Sequence, residues 1–100
     1  MPRPCLRRNI RRDLGAAYFK PRGVPLMKLS EVALAADEFE ALRLADRDGL
    51  YHQPAAKRLG VSRATFGNIL RRARQKVADA LVGQKALRLP GASLFRGGNP

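Results

Sequence analysis

The chain has 100 residues, which is enough for one small domain. Hydrophobic residues make up 45% of it but aromatic residues only 6%, and tryptophan is absent, so we expect a core of Leu, Val, Ala and a few Phe in packed helices rather than in a β-sandwich. The 20 Lys and Arg outweigh the 8 Asp and Glu and give a net charge of +12. This bias favours a polyanionic partner, with nucleic acid first and an acidic membrane surface second.

Several kinds of site are excluded by what the sequence lacks. A single cysteine, Cys5, and a single histidine, His52, can form neither an internal disulfide nor a zinc site within one chain. No apolar run approaches the roughly 20 residues of a membrane span, and the basic start is not followed by the apolar stretch of a secretory signal. Carboxylates are not paired in a plausible pocket, and no phosphate-binding glycine loop is present. We therefore expect a cytoplasmic protein with no cofactor, no metal and no enzymatic activity.

Charge and composition divide the chain into three parts. Residues 1–34 are predicted to be a basic N-terminal arm and an extended, proline-rich segment, in which EVALA fits either a short strand or the start of a helix. Residues 35–83 are predicted to be the helical domain, and residues 84–100 a flexible tail in which only ALRL has strand character. The arm fits an extension that contacts DNA phosphates or a minor groove, and equally a disordered tail; its arginines are Arg7, Arg8, Arg11 and Arg12.

The first predicted helix covers about 37–48. Asp37 is the expected N-cap, and Glu40 follows three residues later as in a capping box. Apolar residues recur at helical spacing from Phe39 onward. The helix is expected to stop before Gly49, which can adopt the left-handed conformation.

Two further helices are predicted at 53–59 and at about 63–82. Pro54 suits the first turn of the former, Gly60 ends it, and Ser62 caps the latter. Together they meet the requirements of a helix-turn-helix. The inward face of the longer helix is predicted to consist of Phe66, Ile69, Leu70, Ala73, Val77, Ala80 and Leu81.

The outward face of the longer helix carries the side chains that read base edges. Arginine donates two hydrogen bonds to guanine, asparagine pairs with adenine, and alanine or the threonine methyl contacts the thymine methyl. A capping serine and the first N–H groups can bind a phosphate, and flanking cations, among them Arg74 and Lys76, are predicted to contact others. The predicted DNA-binding residues are Ser62, Arg63, Ala64, Thr65, Gly67, Asn68, Arg71, Arg72, Lys57 and Arg58.

A simpler interpretation is that the two helices form only a packing motif with a solvated basic surface. Gly67 argues against it, because glycine costs about 1 kcal/mol of helix propensity relative to alanine. Such a cost is understandable where a partner approaches the helix closely. The outward face near the helix start also has no bulky apolar residue that would obstruct a DNA groove.

Several segments together resemble a small prokaryotic family of predicted DNA-binding proteins of unknown function: MPRP at the start, YFKPRGVPL at 18–26, EALRLAD at 40–46, GLY at 49–51 and GVSRATFGNIL at 60–70. The helix-turn-helix of that family is similar to region four of bacterial sigma factors, and RRARQKVADAL at 71–81 strengthens the likeness. The resemblance covers about residues 1–90. This chain departs from it at Gln53 and Pro54, where acidic residues are more typical. The resemblance implies DNA binding through Ser62, Arg63, Thr65, Asn68 and Arg71.

The sequence thus predicts a mainly α fold with a three-helix core, similar to sigma factor region four, behind an extended N-terminal segment. The expected function is sequence-specific binding of double-stranded DNA as a transcriptional regulator in the nucleoid, with the helix at about 63–72 in the major groove. We expect a homodimer on two half-sites. Two alternatives stay open: a docking module that contacts RNA polymerase through the acidic helix at 37–48, and a basic RNA-binding protein.

Overall fold

The computed structural model describes residues 17–91, and within them the fold is mainly α, as predicted. Its three helices are α1 (Ala36–Leu42), α2 (His52–Leu59) and α3 (Arg63–Gly83), and its strands are β1 (Tyr18–Phe19), β2 (Glu31–Ala33) and β3 (Ala86–Arg88). A 3-10 turn covers Leu26–Lys28, and α1 continues as wider helical turns over Arg43–Arg47. None of the helices described is long and apolar enough to cross a membrane.

The core lies where the three helices meet. Small residues allow close approach, because Ala41 of α1 and Ala55 and Ala56 of α2 are buried against α3. The inward residues of α3 that are buried are Phe66, Ile69, Leu70, Ala73 and Ala80. The prediction was wrong for Leu81, which is 73% exposed: it follows Ala80 at the end of α3, where it lines an open groove with Phe19.

The sheet joins the two ends of the described chain. β3 is its central strand, antiparallel to β1 and parallel to β2, so that Leu87 lies between Phe19 and Val32. EVALA is therefore a strand over Glu31–Ala33. The prediction of a flexible tail at 84–100 was wrong for residues 86–88, because β3 belongs to the folded domain and Ala86 is fully buried. A strand of three residues is too short to show the alternation by which strands are predicted.

The other calls on the termini lie outside the described residues. These are Cys5, the arm arginines Arg7, Arg8, Arg11 and Arg12, and the part of the tail beyond Gly91.

The start of α1 differs from the predicted one. Its N-cap is Ala35, two residues before Asp37, and the side chain that reaches back is Glu38, whose Oε1 accepts from the Ala35 N–H at 2.9 Å. Glu40 instead accepts from Arg43 on the next turn. The end of this segment is as predicted, because Gly49 is left-handed with φ of +77°.

The end of α3 gives a first prediction about stability. Gln84, and not Gly83, takes the left-handed conformation, with φ of +53°. A side chain costs about 1–2 kcal/mol in that conformation, so Gln84→Gly is expected to raise the free energy of unfolding by about 0.5–1 kcal/mol in urea titrations. The same change at exposed Gln75, inside α3, is the control and should lower it by about 1 kcal/mol. Equal effects at the two positions would contradict the assignment of the cap.

Candidate nucleic-acid interface

The turn between α2 and α3 has the predicted geometry. Gly60 is left-handed with φ of +82°, and its N–H and that of Val61 both donate to the carbonyl of Ala56, at 2.8 and 3.0 Å. Val61 also packs against the core. Ser62 caps α3, since its Oγ accepts from the Thr65 N–H at 3.1 Å. The turn thus fixes the first residues of α3 relative to α2.

The first turns of α3 present the predicted base-reading residues to solvent. Arg63, Ala64, Thr65 and Asn68 are exposed. Gly67 is half-buried, and a Cβ built there would meet no other atom within 4 Å. Packing therefore does not require glycine at this position, and its helix-propensity cost has no explanation inside the domain.

Asn68 and Arg71 form a pair on this surface. Nη2 of Arg71 donates to Oδ1 of Asn68 at 2.6 Å. Because a guanidinium has no acceptor, this bond assigns the amide orientation and leaves Nδ2 of Asn68 as a donor. The pair therefore presents mainly N–H donors, which match the N7 and O6 acceptors of guanine in the major groove.

Three predicted phosphate contacts are instead engaged inside the domain, where they hold α3 to α1. Lys76 Nζ and Arg72 Nε donate to the two oxygens of Glu38, at 2.7 and 3.4 Å. Arg74 donates twice to Asp46, at 3.0 and 2.7 Å. The interpretation of Arg72, Arg74 and Lys76 as phosphate contacts is therefore revised, because each of them already contacts a carboxylate of this chain, although Arg72 and Lys76 share Glu38.

These ion pairs shift the pKa values of their members. Burial raises the pKa of Glu38, which is only 3% exposed, but hydrogen bonds from Lys76, the Ala35 backbone and Arg72 outweigh burial and hold the pKa below its usual value. The hydrogen bond from Arg74 likewise lowers the pKa of Asp46. Both groups are therefore ionised at neutral pH.

Glu40 and Asp48 of the acidic helix are also paired. Arg43 donates to Glu40 at 2.7 Å and to Asp48 at 3.3 Å, and Arg47 donates to Asp48 at 2.8 Å. The hydrogen bond from Arg47 lowers the pKa of Asp48, and the one with Glu40 raises the pKa of Arg43. Most carboxylates of the acidic helix therefore contact cations of their own domain.

Four exposed cations near the α2–α3 turn form no ion pair within the described part of the chain. They lie at the end of α2 and on the first turns of α3: Lys57, Arg58, Arg63 and Arg71. All four belong to the predicted DNA-binding set. The free positive charge of the helical domain is thus concentrated around the predicted base-reading face.

Sequence reasoning missed two features of this region. The binding of Glu38 to cations of α3 was not predicted. A groove between α3 and the loop after α1 was not expected, and Tyr51, 84% exposed, lies at its edge. The only sign in the sequence was the segment GLY at 49–51, which belongs to the family resemblance.

Known proteins are similar to this chain over almost its whole length. A UPF0251 protein of Desulfosudis oleivorans is 51% identical over 98 residues, which cover 98% of this chain and 71% of that protein. A UPF0251 protein of Moorella thermoacetica is 54% identical over 91 residues, or 91% and 61% of the two chains. One of Pelotomaculum thermopropionicum is 47% identical over 93 residues, or 93% and 70%.

This chain therefore spans between 61% and 71% of the length of those three relatives. No solved structure matches it. Residues 1–96 match the family model described as "Protein of unknown function DUF134". With a match of this extent and identities near one half, the chain belongs to the DUF134 family.

Proposed function

We propose that this protein is a sequence-specific DNA-binding protein, and a transcriptional regulator, that inserts the first half of α3 into the major groove of duplex DNA. The observation that carries the proposal is the charge distribution: unpaired cations surround the small, polar face of α3, while its remaining arginines and Lys76 contact acidic partners within the domain. Flanking cations suit phosphates, and the face between them suits base edges. The role is binding, with no catalytic step.

The two alternatives have weaker support. Docking on RNA polymerase through the acidic helix needs free carboxylates, but within the described residues only Asp37 of that helix has no ion-pair partner, since Glu38, Glu40, Asp46 and Asp48 are all paired. Binding to structured RNA is disfavoured because the major groove of an A-form helix is too narrow for a helix such as α3.

We further propose that the protein acts as a homodimer in the cytoplasm, on the nucleoid. A single short recognition helix contacts few base pairs, and proteins of this architecture reach specificity by pairing on two half-sites one helical turn apart. The mass of the complex formed with a selected duplex at micromolar protein distinguishes one copy from two.

The salt dependence of binding to duplex DNA tests the proposed function. Binding sites are selected from random duplexes, and affinity is measured by fluorescence anisotropy at several salt concentrations. The logarithm of the binding constant is expected to fall linearly with the logarithm of the salt concentration. Lys57→Ala should weaken binding to all duplexes alike and reduce the magnitude of the slope by about 0.9, because one phosphate contact is lost.

Arg22→Ala is the matched control, since it removes an exposed cation from the turn after β1 and should leave the slope unchanged. The absence of duplex binding at low salt, or a preference for structured RNA, would contradict the proposal.

A further inference from the structure

An open groove runs beside α3, between this helix and the loop that joins α1 to α2. The loop residues 49–51 line one side, and Arg63 and Arg74 of α3 line the other, around a volume of about 550 Å³. Arg74 is held by its two hydrogen bonds to Asp46. That end of the groove is therefore fixed and electrically balanced, and the free charge lies at the other end.

Two side chains in the groove offer donors that nothing in residues 17–91 accepts. Arg63, the first residue of α3, is exposed and forms no ion pair there. Tyr51 immediately precedes α2 and is 84% exposed, with no hydrogen-bond partner there for its hydroxyl. A guanidinium and a phenol that line the same groove suit a ligand that has a negative charge and only acceptor oxygens.

The position of Arg63 around α3 separates it from Asn68. At about 100° per residue, Arg63 and Arg74 lie within about 20° of each other around the helix axis, whereas Arg71 lies about 80° and Asn68 about 140° from Arg63. Arg63 therefore faces the groove on the flank of the helix. It does not share the outward face with Asn68.

We propose that this groove holds one backbone phosphate of the bound duplex, with Arg63 supplying the charge and Tyr51 a hydrogen bond from its hydroxyl. The inference rests on the proposed function and changes the role of Arg63 from base reading to backbone positioning. A phosphodiester has the required chemistry, and the backbone lies beside a helix that occupies the major groove. Base reading on this face is then left to Asn68 and Arg71.

The test combines two variants with duplexes in which single phosphates are replaced by neutral methylphosphonates. Arg63→Gln is expected to lower affinity about 10-fold and Tyr51→Phe about 3-fold, by the same factor on the selected site and on an unrelated duplex. Arg63→Gln should also reduce the magnitude of the salt slope by about 0.9. In the wild type, one methylphosphonate position per half-site should weaken binding about 10-fold, and in Arg63→Gln the same position should have no further effect.

Tyr18→Phe is the control, because it removes the same hydroxyl from β1, which does not line the groove. Circular dichroism checks that each variant is folded. Wild-type affinity in both groove variants would overturn the inference and leave DNA binding intact. Loss of discrimination in Arg63→Gln with an unchanged salt slope would also overturn it, because Arg63 would then read bases. If the wild type binds no duplex, the proposed function itself fails.

Discussion

Replacing Glu38 with alanine is expected to lower the free energy of unfolding by about 2–3 kcal/mol at pH 7. Its carboxylate is buried and accepts hydrogen bonds from the Ala35 N–H, Lys76 and Arg72, so its loss breaks the helix cap and the link from α1 to α3 together. The two cations are 36% and 54% exposed and can turn to water, which keeps the loss below that of a fully buried pair. Urea unfolding followed by circular dichroism measures the difference.

Acid should remove this contribution. The pKa of Glu38 in the folded chain lies below 4.5, so its stabilisation is complete above about pH 4.5 and is lost as the pH falls through the folded-state pKa. Glu38→Gln keeps the shape but not the charge, and the advantage of the wild type over it should shrink from pH 7 to pH 3. Asp37→Asn, at an exposed carboxylate one position earlier, is the control and should change stability by less than about 0.5 kcal/mol. An equal loss in both variants, independent of pH, would show that Glu38 does not link the helices.

Replacing Arg71 with alanine is expected to lower affinity for the selected duplex by about 10- to 100-fold, with a much smaller effect on unrelated sequences. Its bond to Asn68 holds the guanidinium on the outward face of α3 and leaves other N–H groups free. Two of them can reach N7 and O6 of one guanine. We therefore expect a guanine in the selected site. Replacing that guanine with 7-deazaguanine should lower the affinity of the wild type by much of the factor expected for Arg71→Ala.

Arg71→Lys separates charge from geometry, because lysine keeps the charge but loses the two-donor fork. It should bind unrelated duplexes like the wild type and still lose the preference for the selected site. Gln75→Ala, one turn further along the helix, is the control and should retain that preference. A lysine variant with full sequence preference would show that Arg71 contacts only the backbone.

The local features of the fold could be predicted because a few neighbouring residues determine them. Gly60 ends α2 in the left-handed conformation and Ser62 caps α3, both as expected. The apolar spacing of α3 predicted the burial of Phe66, Ile69 and Leu70. Each of these depends on helical periodicity or on a cap, which the sequence displays directly.

The long-range features could not be predicted in this way. Glu38 binds cations 34 and 38 positions later in the chain, and helical spacing carries no information about such a pair. Arg74 and Asp46 are 28 positions apart, so their pairing was not predicted either, and the number of free cations on α3 was overestimated. At the candidate site, the sequence supplied the residue types, while the structure divided them into paired cations, free cations and an exposed tyrosine.

The central position of β3 has a consequence for the order in which the chain folds. The contacts among α1, α2 and α3 lie within residues 36–83, whereas Tyr18 can meet Arg88 only when nearly all of the described chain is present. Closing a loop of that length costs conformational entropy before the pairing of the strands contributes any stabilisation. The three helices can therefore pack before β3 pairs with β1 and β2, and we expect the three-stranded sheet to close last.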